Sequence, residues 1–441
     1  MYCRKQILWS LSALVLLSSA SASQGETLAD FFAKSHMDGQ IRSYYFSRLY
    51  GSPNRVNAYA YTLAGRLNLR TARFLDGFRV GVSFYTENSL GTQPNDPQRL
   101  DPTLMGRGSS LNALGQAYLE YANRWLNVTL GDQLVNTPWL NRVGGRVQPV
   151  TYQGIVARVK PLAHLQLVGL RIFRWENRTS ASFQRNNLYY PGVIAGPNVL
   201  PTTAPASNGA LAFGARYAFS SLKSQLWFYQ FDGFADMLYW QGGYAWRVHR
   251  GWHPFVDAQY TREWGVGQIF ADTGTTLFGQ SGQGVNSTDW GVKAGIRFPR
   301  GSLWWGYDST LLHPGALGGG AIVSPYTVGY TADPLYVDAM IQGLVGIGPG
   351  HGWRVRAAYW LLAHHLQLTA GFSRFITYFS GNSNWTHFNV SYFPGGMFKG
   401  LCLRDQVEVG IGAGTRVLNP LFPGFGTHSF VYNRVMLSYR F

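Results

Sequence analysis

The last eight residues, Arg434-Val435-Met436-Leu437-Ser438-Tyr439-Arg440-Phe441, alternate without a break. Val435, Leu437, Tyr439 and Phe441 fall on one side of an extended chain, and Arg434, Met436, Ser438 and Arg440 on the other, because successive side chains of a strand point to opposite faces. The same period runs inward from the terminus. Trp290, Val292, Ala294, Ile296 and Phe298 oppose Gly291, Lys293, Gly295 and Arg297. Tyr59, Tyr61, Leu63, Gly65, Leu67 and Leu69 oppose Ala58, Ala60, Thr62, Ala64, Arg66, Asn68 and Arg70. Each strand has one greasy face and one that is basic or small.

Composition says what the greasy face meets. Of 441 residues only 13% are charged, against roughly 25% in soluble domains, while mean hydropathy is only −0.09. Part of the surface therefore faces something other than water. Beyond the first 22 positions no apolar run approaches the roughly 20 residues of a membrane-crossing helix. A soluble antiparallel sheet would also alternate. Against it stand aromatics at the ends of the apolar faces, assigned to Tyr59, Tyr85, Tyr121, Trp125, Trp304, Trp305, Tyr439 and Phe441, as in the two girdles of a membrane barrel. Short connections (121–125, 160–164) also alternate with long ones such as Glu87 to Ser109, and the small polar-face residues suit a wet lumen better than a packed core. An open sheet edge cannot satisfy its N–H and C=O groups in hydrocarbon, so the sheet must close. At roughly 22 to 24 residues per strand with its share of loop, the expectation is an all-β transmembrane antiparallel barrel of about 18 strands, wide enough for an aqueous channel.

The amino terminus reads as an export signal. Arg4 and Lys5 precede an apolar stretch from Ile7 to Leu17, and Ala20-Ser21-Ala22 forms a small-residue cleavage site. Residues 1–22 are expected to be a signal peptide and residues 23–441 a single barrel domain, with a short lead-in helix within Glu26–Lys34. Of the two cysteines, Cys3 lies in the leader, which leaves Cys402 unable to form an internal disulfide.

Several blocks, in order, resemble the OprD-type outer-membrane porins, carboxylate-selective channels of Gram-negative bacteria. They are Gly39-Gln40-Ile41-Arg42-Ser43-Tyr44-Tyr45-Phe46-Ser47-Arg48, Leu114-Gly115-Gln116-Ala117-Tyr118-Leu119, and Asn136-Thr137-Pro138-Trp139-Leu140-Asn141 continuing to Arg146, Pro149, Tyr152 and Gly154. Asp232, Ser324-Pro325-Tyr326 through Tyr330, Asp333-Pro334-Leu335-Tyr336, and Lys399-Gly400-Leu401-Cys402-Leu403-Arg404 match further blocks. The resemblance implies 18 strands, inward-folded loops that constrict the pore, and a ladder of arginines that guides carboxylates. Phe441 then looks like the signal read by the barrel-insertion machinery. Gly144-Gly145 stands where the family usually has Asp-Ser, which leaves the acidic side of the constriction open.

The candidate pore-lining residues are Arg42, Arg48, Arg66, Arg70, Arg79, Arg146, Arg158, Arg216, Lys293, Arg297, Arg354 and Arg356, with Arg434 on the same kind of face. Cations in a narrow lumen with low-dielectric walls focus the field and raise the local anion concentration. A guanidinium fork can hold a carboxylate bidentately and hand it on. Each cation has a duller reading, as the partner of an acid such as Glu120, Asp132 or Asp257 or as a contact to headgroups. Arg146 lies in a Gly-rich excursion between Pro138 and Pro149 that is either an inward loop or an outer one. The stretch from His313 to Asp333, through Gly318-Gly319-Gly320, is a second candidate constriction element.

Other chemistry finds little support. No G-x-S-x-G elbow occurs, the ten histidines are scattered, and no Cys or His pair has zinc spacing. His364 and His365, adjacent in a strand, would point to opposite faces. Asn95, Asp96 and Asp101 in a long loop are usual solvated acids rather than a calcium site. The excess of 37 basic over 21 acidic residues is dispersed on alternate positions, unlike a nucleic-acid patch. No cofactor, metal or nucleic acid is expected. Lipid, lipopolysaccharide, the insertion machinery and small anionic solutes are the expected partners, in a monomer or a trimer. A hydrophobic-substrate channel would need an amino-terminal plug, for which the segment before the first strand is too short, and a non-conducting adhesive or structural barrel is the other reading. Alternation puts Cys402 on the polar face and, if unbroken, Asp405 towards lipid, unless Asp405 ends the strand or a bulge resets it.

Overall fold

The computed structural model describes residues 28–51, 55–248, 251–412 and 429–441. The leader and its cleavage site lie outside these residues; the lead-in helix appears as Leu28–Ala33. Eighteen strands follow. The first six are β1 (His36–Tyr50), β2 (Ala58–Arg70), β3 (Phe78–Asn88), β4 (Ser110–Ala122), β5 (Leu126–Gln133) and β6 (Thr151–Leu162). The next six are β7 (Leu165–Glu176), β8 (Ala210–Phe219), β9 (Leu222–Phe231), β10 (Ala235–Ala245), β11 (His253–Gly265) and β12 (Val285–Phe298). The last six are β13 (Gly301–Thr310), β14 (Gly350–Leu361), β15 (Leu366–Thr377), β16 (Gly381–Tyr392), β17 (Leu401–Ile411) and β18 (Phe430–Arg440).

Every strand pairs antiparallel with its sequence neighbours, and β1 closes the sheet on β18, from Gln40 opposite Arg440 to Tyr50 opposite Phe430. The barrel has no edge, so every strand can satisfy its ladder groups within the wall. Alternation sorts the side chains as expected. Val435, Leu437 and Tyr439 are 43–46% exposed on the outer surface, whereas Arg434, Met436 and Ser438 are buried on the bore side. Among the described residues no helix is long and apolar enough to cross a membrane.

Two of the aromatics assigned to the outer girdles belong inside. Phe84 is outward and Tyr85 is buried, because β3 alternates without a break from Val80 outward and Gly81 inward; the extra residue of this strand pair, Gly115, lies on β4. Leu303 and Trp305 are outward, so Trp304 between them faces the bore, near Lys293 and Arg354. A hydrophobic side chain alone did not reveal its face; its neighbours' parity does. His364 and His365 are not in a strand but in the tight turn between β14 and β15, where Leu362, Ala363 and His364 all adopt positive φ.

The connections are asymmetric. Those at the end bearing Phe441 are short, while the other end carries the long segments 89–109, 134–150, 177–209, 266–284 and 311–349 and, among the connections described in full, two short turns, 232–234 and 378–380. Several of the long segments fold into the bore instead of outward. Trp139, Tyr152, Trp175, Tyr189, Tyr229 and Tyr326 are almost wholly buried there, in edge-to-face and stacked contacts that fill one side of the lumen.

Candidate functional site in the barrel bore

The segment between β5 and β6 turns inward, as the Pro-flanked, Gly-rich sequence suggests. Trp139 and Leu140 are buried in the aromatic packing, and the loop then crosses to the opposite wall. There the Tyr44 hydroxyl donates to the Gly145 carbonyl (3.1 Å), and Arg146 is pinned. Its Nε donates to the Thr103 carbonyl (2.9 Å), its Nη2 to the Tyr432 hydroxyl (2.9 Å), and its guanidinium lies over the Phe46 ring (4.5 Å). A flat cation stacked on an aromatic face and held by neutral acceptors keeps its charge with no ion-pair partner among the described residues.

The long segment between β13 and β14 forms the facing wall. Most of residues 316–349 are buried, and none is exposed. Its three glycines do not front the lumen as expected. Gly318, Gly319 and Gly320 take positive φ (61°, 64°, 98°) and pack against Leu277, Phe379 and the backbone of Leu311, so they make a turn that a side chain would strain. The part near the lumen is Gly329–Asp333. Wall carboxylates hold this segment by its backbone. Glu263 accepts from the Val323 N–H (2.8 Å), Asp308 from Val337 (2.9 Å), and Glu408 from both Met340 (2.6 Å) and Ile341 (3.0 Å).

Between these walls lies a cavity of about 570 Å³ whose lining includes Arg48, Arg107, Arg146, Arg178, Arg434 and Tyr330. Arg178 was not a candidate, since no alternation marks a residue of the 177–209 loop. It is buried over the Tyr330 ring (4.2 Å). Burial first, then the like charge of Arg146, pushes its pKa down, yet an arginine that starts above 12 stays charged at neutral pH. The adjoining space, lined by Gly144, Gly145, Arg178, Asp333 and Arg434, shows what the glycine pair does. A side chain at 144 would meet nothing, so the loop leaves open room, and the acid near the arginines is Asp333 of the opposite segment.

The remaining candidates divide by partner. Arg42 faces the bore and donates to Ser438 Oγ (3.0 Å), the Arg146 carbonyl (3.2 Å) and Gln40 Oε1 (3.2 Å). Arg158 donates to Asn127 Oδ1 (3.1 Å), and Arg216 to the Asn136 carbonyl (2.8 Å) at the root of the inward loop. Arg297 stacks on Phe255 (4.2 Å), and Arg354 lies 3.3 Å from both ring nitrogens of His387. Arg66 and Arg356 are half-buried on the bore face, with no ion pair among the described residues. Four candidates instead carry an acid: Arg48 with Asp101 (2.6 Å), Arg70 with Asp38 (3.0 Å), Arg79 with Glu120 (2.9 Å) and Lys293 with Asp257 (2.8 Å). For these four the duller reading applies at least in part. Among the described residues Asp132 pairs with no arginine; it accepts from Gln153 (3.0 Å). Asp101 is occupied by Arg48, and Asp96 caps the short turn at Gln98.

A sequence profile of the outer membrane porin, OprD family, matches residues 29–309. The chain belongs to that family. Solved OprD-family barrels share its fold. Pseudomonas aeruginosa OccK9 (OpdG) superposes with a TM-score of 0.75 at 17% identity, covering 93% of this chain and 99% of that one. A BenF-like porin from Pseudomonas fluorescens Pf-5 gives 0.73 at 15%, covering 92% and 98%. Pseudomonas aeruginosa OpdK, solved with vanillate, gives 0.70 at 16%, covering 93% and 99%. No curated protein sequence is similar enough to match. OprD-family barrels reside in the outer membrane of Gram-negative bacteria and are channels, not enzymes.

Proposed function

We propose that this OprD-family porin passes small carboxylate-bearing anions by passive diffusion, after export directed by residues 1–22, with residues 23–441 forming the whole barrel. The observation that carries this reading is the convergence of Arg146, Arg178 and Arg434 on one cavity, none of them ion-paired among the described residues. In a water-poor constriction such charges act at a lower effective dielectric than in bulk water and attract anions over a long range. Tyr432 and Tyr330 offer hydroxyls and ring faces beside them, which suits a solute with one charged and one flat apolar end. Vanillate, with which OpdK was solved, is such a solute. Release requires weak, successive contacts, and the bore-facing Arg42, Arg66 and Arg354 supply further steps. Its surroundings are outer-membrane lipid and lipopolysaccharide, reached through insertion machinery that reads the Phe441 strand.

The test is current block. In planar bilayers, an aromatic monocarboxylate added to the long-loop side reduces chloride current at lower concentration than its uncharged amide. Arg146→Ala weakens that block and lowers anion over cation permeability. Equal block by acid and amide, with selectivity unchanged in Arg146→Ala, would refute the reading.

A further inference from the structure

At the opposite end of the bore from the long loops lies a second cavity, of about 500 Å³. It is bounded by β1, β17, β18 and the turn between β16 and β17. Its charged lining is Arg42, Lys399, Arg404 and Arg440; no aspartate or glutamate contributes. None of these four cations makes an ion pair among the described residues. Among the described residues Arg404 reaches only Ser391 Oγ (2.9 Å), and Arg42 shares the lining with Arg404 and Arg440.

The strand register makes this clustering compulsory. Gln40 sits opposite Arg440 on β18 and opposite Arg66 on β2, and Ser438 sits between Arg42 and Cys402. Gln40 lines the cavity and is 8% exposed; its Oε1 accepts from Arg42, yet its Nε2 has no hydrogen-bond partner. A buried amide donor left unpaired is destabilising, and four cations around one space repel one another. A single occupant relieves both strains: an anion that accepts from Gln40 while bridging the guanidinium groups. Four cations facing no acid suit a dianion better than a singly charged solute.

We infer that the short-turn mouth of the barrel is a second anion site, selective for anions that carry two negative charges, such as hydrogen phosphate or a dicarboxylate. It deepens the channel reading by giving the exit its own preference, distinct from that of the aromatic-lined constriction.

Cys402 lies in the cavity lining and is the only cysteine outside the leader, which makes it a reporter. The processed protein in a planar bilayer is treated from the short-turn side with an anionic or a cationic methanethiosulfonate of similar size, with Cys402→Ser as the blank. The anionic reagent reacts about tenfold faster or more, as expected from a focused field. Millimolar phosphate or succinate slows the reaction several-fold and acetate does not, and the pair Arg404→Gln with Arg440→Gln abolishes the protection. Protection by phosphate alone assigns the site to inorganic phosphate; protection by both assigns it to dianions at large. Equal rates for the two reagents, or no protection by either dianion, overturn the inference. Protection in a channel that proves cation-selective overall would refute the carboxylate reading and leave this site standing. An anion-selective channel without protection refutes this site alone.

Discussion

Asp405 shows what single residues add to the pattern. Alternation alone left three readings for it. In the barrel β17 pairs with β18 without a break in register, so Asp405, mid-strand opposite Val435, stays on the outer face, with Leu403 below it and Val407 above. The Asn433 amide donates to its Oδ1 (2.8 Å), so a polar partner on the next strand takes the place of a bulge. Asp338 poses the converse problem inside the bore. It is buried beside Asp333, with no donor among the described residues reaching either oxygen. Burial first, then the charge of Asp333, raises its pKa well above the usual carboxylate value, and Asp333 is raised too, chiefly by burial. A group whose folded-state pKa is raised binds its proton more tightly in the folded loop; the arrangement is thus stabilised below that pKa and loses stability as pH rises through it. The open-channel current of the wild type is expected to become noisier as pH rises above the ordinary carboxylate range, while Asp338→Asn stays quiet. Identical pH profiles of current noise would contradict this.

At the scale of elements, the strands could be read directly and the loops only in part. Period two places Arg42, Arg66, Arg158 and Arg354 on the bore face because a strand offers only two choices. No such rule fixes the path of a loop. The Pro138–Pro149 stretch announces an ordered inward segment, and Arg146 is found there. Arg178 carries no comparable signal, and neither does the grip of Glu263, Asp308 and Glu408 on the 311–349 segment, since that grip joins wall acids to backbone amides far away in sequence. Glu408 is the strongest of these holds, one carboxylate accepting from two consecutive N–H groups. Glu408→Gln keeps the shape but turns one acceptor into a donor, at a cost of about 2 kcal/mol for a hydrogen bond to a charged group. Single-channel traces of Glu408→Gln are expected to flicker between conductance levels while the barrel still shows its heat-dependent gel shift. A steady trace at wild-type conductance would show that the segment is held by its apolar packing alone.

For the whole molecule, closure follows from hydrocarbon tolerating no unpaired backbone, and the strand count follows from length; both are legible in the sequence. The asymmetry within the bore was not. Aromatics from strands and loops fill one side, while Arg146 and Arg434 meet at the wall of β1 and β18 and Arg42, Arg404 and Arg440 at the short-turn mouth, an arrangement that depends on contacts between segments more than 100 residues apart, such as Arg146 with Tyr432. The central claim is that this unbalanced positive charge governs what passes. The most direct test is the zero-current potential of the purified barrel in a planar bilayer under a tenfold potassium chloride gradient. The account predicts a potential of the sign set by chloride permeating faster than potassium, shrinking as total salt rises because screening shortens the reach of the charges. A potential of the opposite sign, or one that total salt does not change, would contradict it.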